Sequence, residues 1–170
     1  MADIAMPLLV YPRQGIGAAR LGDSPRAVRE AVGTRVESTP AYERFGVRFP
    51  ARDLFHGGAL AVHYDRDERA EWIAATDPLP LRYQGLDLFQ AGADTVLAHL
   101  ARFGPVEEDA EEPGRAFRVP TLGLSLWRQE DPAVLKRALA EAHGEGERRS
   151  LRGDLARAAF FQQVAVYADE

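Results

Sequence analysis

The feature that most constrains this chain is a glycine-framed pattern that it uses twice. In the first copy Gly15-Ile16-Gly17 leads through Leu21, Gly22 and the Asp23-Ser24-Pro25 corner to Ala27, Val28, Ala31 and Val32, and Gly33 closes it. The second copy begins at Gly85-Leu86, passes Gly92 and Asp94, and runs through Val96, Leu97, Leu100 and Phe103 to Gly104. Gly15 and Gly22 precede Gly85 and Gly92 by 70 residues, while Gly33 precedes Gly104 by 71. Each copy reads as a short strand, a glycine turn, a capped helix and a glycine stop. Ser24 or Asp23 is the expected cap of the first helix, with Pro25 at a position where a missing N–H costs nothing. Asp94 is the expected cap of the second. The spacing predicts helices near residues 24–32 and 94–103.

After each helix the apolar period changes from 3.6 to 2. Phe45, Val47 and Phe49 alternate with Gly46 and Arg48, as do Leu60, Val62 and Tyr64 with Ala61 and His63. The polar turn Asp65-Arg66-Asp67-Glu68-Arg69 then makes a hairpin with Glu71-Trp72-Ile73-Ala74-Ala75. The second half follows the same plan with Phe117 and Val119, then Leu122, Leu124 and Leu126, then Val164 and Val166. Between its last two strands, residues 129–158 read as an insertion with a helix over 132–142 and a loop over 143–149. The expected fold is α+β, one domain spanning 1–170 and made of two tandem αβββ units. The first unit covers about 1–78 and the second about 79–170, with antiparallel sheets, helices on one face and an extra helix inserted in the second unit.

At 170 residues such a chain is long enough to bury a substantial core. Its net charge of −5 gives no general reason to bind nucleic acid or an anionic membrane. The absence of cysteine removes disulfides, thiolate metal sites and thiol catalysis. Met1–Pro7 lacks the basic region of a signal peptide, and no window approaches the ~18 apolar residues of a membrane span. A cytoplasmic location is the expectation.

Motifs for chemistry are weak. Gly15-Ile16-Gly17 has Arg20 where a dinucleotide loop needs its third glycine. Gly17 to Ser24 matches a phosphate-binding loop except that Asp23 replaces the lysine. His56 and His63 with Asp65 or Asp67 make a conceivable metal set, and those aspartates suit a turn better. Ser24 and Ser125 lack an ordered His and Asp partner. The acidic run Glu107–Glu112 reads as a solvated loop. No catalytic residue, metal or cofactor is expected.

Parity gives a more specific reading, because a strand turns successive side chains to opposite faces. If Leu122, Leu124 and Leu126 face the helices, Ser125 and Trp127 face away. The same rule turns His63, Arg44 and Arg48 outward, together with Phe161, Gln163 and Tyr167. Trp127, Tyr167, Arg48, His63 and Trp72 are therefore the candidate partner-binding residues, since Trp, Tyr and Arg are enriched at binding hot spots. The competing reading is that the insertion helix, or the other repeat, covers these aromatics as ordinary packing.

The pattern Gly-Ile-Gly-x-x-x-Leu-Gly-x-Ser-x-x-x-Val, with Val62-His63-Tyr64-Asp65 and Leu122-Gly-Leu-Ser-Leu-Trp-Arg128 after it, resembles a family of uncharacterised small bacterial proteins. They are similar in outline to the tandem-repeat β-lactamase inhibitor proteins and the SmpA/BamE-type outer-membrane lipoproteins. The resemblance implies a fold that grips other proteins across an open sheet. The expected function is a non-enzymatic protein-binding module, an inhibitor or immunity-type protein whose partner is another protein. The alternative is a small-ligand-binding protein or enzyme with its site in the groove between the repeats, using His63 and Asp65.

Overall fold

The computed structural model describes residues 6–169; Met1–Ala5, read above for a leader, lie outside them. The first half opens with three short strands, β1 (Leu8–Tyr11), β2 (Gly15–Ile16) and β3 (Ala19–Arg20). Helix α1 (Pro25–Val32) follows, capped by Ser24, whose Oγ accepts from the Ala27 N–H at 3.2 Å. Gly33 ends it at φ 67, a left-handed conformation that favours glycine. Then come β4 (Val36–Thr39), β5 (Tyr42–Arg44), β6 (Val47–Phe49), β7 (Arg52–Phe55), β8 (Leu60–Tyr64) and β9 (Ala70–Thr76).

The second half contains β10 (Leu81–Tyr83), β11 (Leu86–Asp87), α2 (Ala93–Leu100), β12 (Glu107–Glu108), β13 (Ala116–Val119) and β14 (Leu124–Trp127). Two helices, α3 (Pro132–Glu141) and α4 (Glu145–Ala158), precede the last strand, β15 (Gln163–Tyr167). The fold is α+β.

An eight-stranded sheet forms the body, in the order β12-β13-β14-β15-β9-β8-β7-β4. Every neighbouring pair in it is antiparallel. Each half supplies four of these strands where three were expected, and β9 meets β15 at the centre, Ala74 opposite Ala165. A smaller sheet has the order β11-β10-β1-β2-β3. There β1 and β10 run parallel, Leu8 beside Leu81, contrary to the expectation of antiparallel pairing alone. Most of the first half lies between these two strands, a connection long enough for a parallel return.

The inward face of the large sheet carries Phe55, Leu60, Val62, Tyr64, Ile73, Leu124, Leu126, Val164 and Val166. They pack with Val28 of α1, Val96 and Leu100 of α2, and Ile16 and Leu81 from the small sheet. Among the described residues no helix is long and apolar enough to cross a membrane.

Several expectations need correction. Phe45, Val47 and Phe49 are not inward: β5 and β6 pair only with each other, and Phe45 is 90% exposed. Pro40 and Pro50 lie between this ribbon and the sheet, where their missing N–H groups interrupt the ladder. The strands that take the sheet positions are β4 and β7. Phe161 is buried rather than outward, because it precedes β15 and strand parity does not reach it. It packs edge-on against Phe117 with ring centroids 5.9 Å apart.

The loop expected over residues 143–149 is largely α4, whose long run of charges hid a helix that leans on α3. Gly104 is not a left-handed stop; a Cβ there would lie 1.7 Å from Thr121 Oγ1, so close approach requires glycine. Asp94 is not a cap either, since Gly92 holds that position and Asp94 lies in the first turn without a capping bond. Ser24→Ala is therefore expected to cost about 0.5–2 kcal/mol in denaturant melts. Asp94→Ala should cost only the helix-dipole contribution, about 0.3–1 kcal/mol.

Candidate functional site

The outward face of the large sheet is built by alternation. On β8 the inward Val62 and Tyr64 leave His63 outward; on β9 Ile73 leaves Trp72; on β15 Val166 leaves Tyr167. Strand register lines these residues up. Arg52 pairs with His63, His63 with Trp72, and Trp72 with Tyr167, so four strands contribute one continuous row. The Trp72 and Tyr167 rings stack at 6.1 Å with an interplanar angle of 18°. Ala74 and Ala165 lie beside them at the centre of the sheet.

A groove of about 660 Å³ runs over this row. Its walls add Arg13, Glu71, Glu107, Arg118, Pro120 and Asp169, and no residue of α1 to α4 lines it. Arg13 is held firmly, ion-paired to Asp169 and donating to the Thr121 and Pro120 carbonyls at 3.0 and 2.9 Å. The Arg118 guanidinium lies 6.0 Å from the Tyr167 ring centroid, within cation–π range.

Burial, and then the charge of Arg52, push the His63 imidazole below its ordinary pKa, so it is neutral at pH 7. Its ring nitrogens make no hydrogen bond among the described residues. Burial also raises the Tyr167 hydroxyl, against the opposing charges of Arg118 and Arg13 and with a smaller push from Glu107 and Asp169. The site thus offers a stacked aromatic platform, a neutral imidazole, a protonated phenol, and cations and anions side by side. These groups suit recognition by stacking, hydrogen bonding and ion pairing.

Of the five residues expected here, three come together: Trp72, Tyr167 and His63. Trp127 shares the outward face but sits opposite Gln163, four residues from Tyr167 along β15, with Arg115 at 5.6 Å from its ring. That separation is about 13 Å. Arg48 is elsewhere, on the β5–β6 ribbon opposite Glu43, for the proline reason given above. Asp65, linked with His63 in the alternative reading, is committed to its own turn, where Oδ1 accepts from the Asp67 and Arg69 N–H groups at 2.9 Å. Arg118 was legible from the same parity, because Phe117 and Val119 point inward. Arg13 was not, since only tertiary folding carries it across to Asp169.

A second cleft, of about 670 Å³, lies where the first turns of α2 and α3 approach each other. Its cations, Arg128 and Lys136, are matched by Asp94 and Asp131. Arg128 donates to the Gly114 and Ala158 carbonyls at 2.6 and 3.0 Å and spans the Phe117 and Phe161 rings. It therefore pins the insertion to the sheet. No protein-family model matches the chain, and neither the curated proteins nor the solved structures yield a match.

Proposed function

We propose that this chain is a non-catalytic protein-binding module that grips a partner protein with the outward face of its sheet. On this reading it acts as an inhibitor or immunity-type protein in the cytoplasm. The observation that carries the reading is the Trp72–Tyr167 stack at the centre of an open sheet face, flanked by Arg13, Arg118, Glu71 and Glu107. Large aromatic area placed away from the core gives a partner an anchor, and mixed charge around it gives orientation.

The test is affinity capture from native cells followed by titration of the purified partner. Trp72→Ala and Tyr167→Ala are each expected to weaken binding at least tenfold, since aromatic anchors contribute about 2–4 kcal/mol. Losing the stack removes about 0.5–1.5 kcal/mol of folding stability beyond what each ring contributes by its buried area. Binding unchanged in both variants would refute the sheet-face reading. The unbonded His63 in a groove of this size favours a small-ligand reading as the second choice. A saturable thermal shift by a small molecule, lost in His63→Ala and with no protein partner captured, would establish that reading instead.

A further inference from the structure

The hairpin that begins in β4 and ends in β7 continues past the sheet as the β5–β6 ribbon. Its register is unbroken: stepping three residues on from Thr39 reaches Tyr42, and stepping three back from its partner Arg52 reaches Phe49, which pairs with Tyr42. Pro40 and Pro50 occupy the gap. The ribbon has no core of its own. Tyr42 and Phe49 stack on each other at 4.8 Å yet remain 48% and 39% exposed, and Val47 is 56% exposed.

At the tip, Phe45 and Gly46 have φ of 53° and 74°, the two-residue turn with both central residues left-handed. Asparagine or glycine suits the first of those positions, whereas a bulky side chain there is an outlier. The Arg44 guanidinium, 5.1 Å from the ring centroid, gives an exposed contact worth only about 0.5–1 kcal/mol, little reason to hold a 90%-exposed phenylalanine in such a turn; docking gives a better one.

We propose that this ribbon is an insertion element, with Phe45 entering an apolar pocket with an acidic rim on a folded partner protein. The inference rests on the protein-binding reading and adds the chemistry of the surface that is gripped. The charge argument is local. From 35 to 52 the arm carries Arg35, Arg44, Arg48 and Arg52 against Glu37 and Glu43, four cations to two anions, on a chain whose net charge is −5. Position supports it as well. The arm leaves the sheet at Arg52, the residue that heads the His63–Trp72–Tyr167 row, so the ribbon and the groove belong to the same end of the sheet. A membrane fits less well, because one aromatic tip and so small a basic excess give little of the apolar area and charge that interfacial binding uses. A second copy of this chain would offer the acidic run Glu107–Glu112 at the far edge of the sheet. That contact is head-to-tail and would build rings or open chains rather than a two-fold dimer.

The experiment compares wild type, Phe45→Asn and an Arg44→Ala/Arg48→Ala double variant. The protein captured from native cells is purified and titrated against each of them. Phosphatidylglycerol vesicles are assayed in parallel, as is sedimentation of the protein alone over a concentration series. Phe45→Asn is expected to weaken partner binding at least tenfold while the melting temperature holds or rises, because Asn-Gly suits the turn. The double variant should weaken binding and flatten its salt dependence. Unchanged affinity in Phe45→Asn would overturn the proposal. So would vesicle binding or self-association that Phe45→Asn abolishes, or failure to capture any protein. Loss of affinity in Phe45→Asn with none in Trp72→Ala would keep the ribbon and reject the sheet face; the reverse would reject the ribbon alone.

Discussion

Asp53→Ala is expected to cost about 3–5 kcal/mol of folding stability, read from denaturant melts at neutral pH. Asp53 is 1% exposed on β7, and its carboxylate receives four hydrogen bonds. Arg29 of α1 donates two, from Nε and Nη2, at 2.8 and 2.9 Å. Ser38 of β4 donates at 2.6 Å and the Tyr64 hydroxyl of β8 at 2.8 Å. This carboxylate therefore ties the first helix to three neighbouring strands. Removing it leaves the Tyr64 hydroxyl buried without a partner, a loss of about 1–3 kcal/mol by itself. The Arg29 side chain keeps 43% of its exposure and recovers hydration, which places the pair's own share at the low end of the range for buried ions.

Burial alone would raise the Asp53 pKa, but the hydrogen bonds from Arg29, Ser38 and Tyr64, with the Arg29 charge, outweigh it and hold the carboxyl below the usual range. A carboxylate with a depressed folded pKa stabilises fully above its unfolded value of about 3.9. That stabilisation is lost as pH falls through the folded value. The gap between wild type and Asp53→Asn should therefore be wide at pH 7 and close progressively below about pH 4. A gap that widens on acidification would contradict this account.

Leu126→Ala is expected to cost about 2–5 kcal/mol, while Trp127→Ala, its neighbour in sequence, should cost clearly less. Leu126 is fully buried in the core between Phe117 and Val164 on adjacent strands. Trp127 is turned to the other face and remains half-buried, with Arg115 against its ring. The two differ by one residue in position and by one face of the sheet, so the inequality isolates parity from side-chain size. Equal losses in chemical melts would mean that a second packed layer covers Trp127.

Some of this architecture was written locally. The Leu60-x-Val62-x-Tyr64 alternation, the Asp65 turn and the Ser24 and Gly33 ends of α1 all follow from short-range patterns, and the structure contains each of them. The same alternation turned His63 and Tyr167 outward before any neighbour was known. A period of 2 fixes which face a side chain takes, because it depends only on the backbone of its own strand. It does not fix which strand lies alongside.

That second decision belonged to the tertiary structure. Pairing of β9 with β15 turned two distant aromatics into one stack, and the crossing of Arg13 to Asp169 walled the groove beside it. Asp53, in an Arg-Asp-Leu-Phe segment, becomes a buried anchor only where α1, β4 and β8 close over it. Phe45, Val47 and Phe49 carried the right period for a buried strand and were left in solvent, since Pro40 and Pro50 parted their ribbon from the sheet. Within α4, charge and two glycines masked a helix that needs α3 beside it. Burial and partnership are properties of contacts between segments, and composition within one segment sets only the face that is ready to make them.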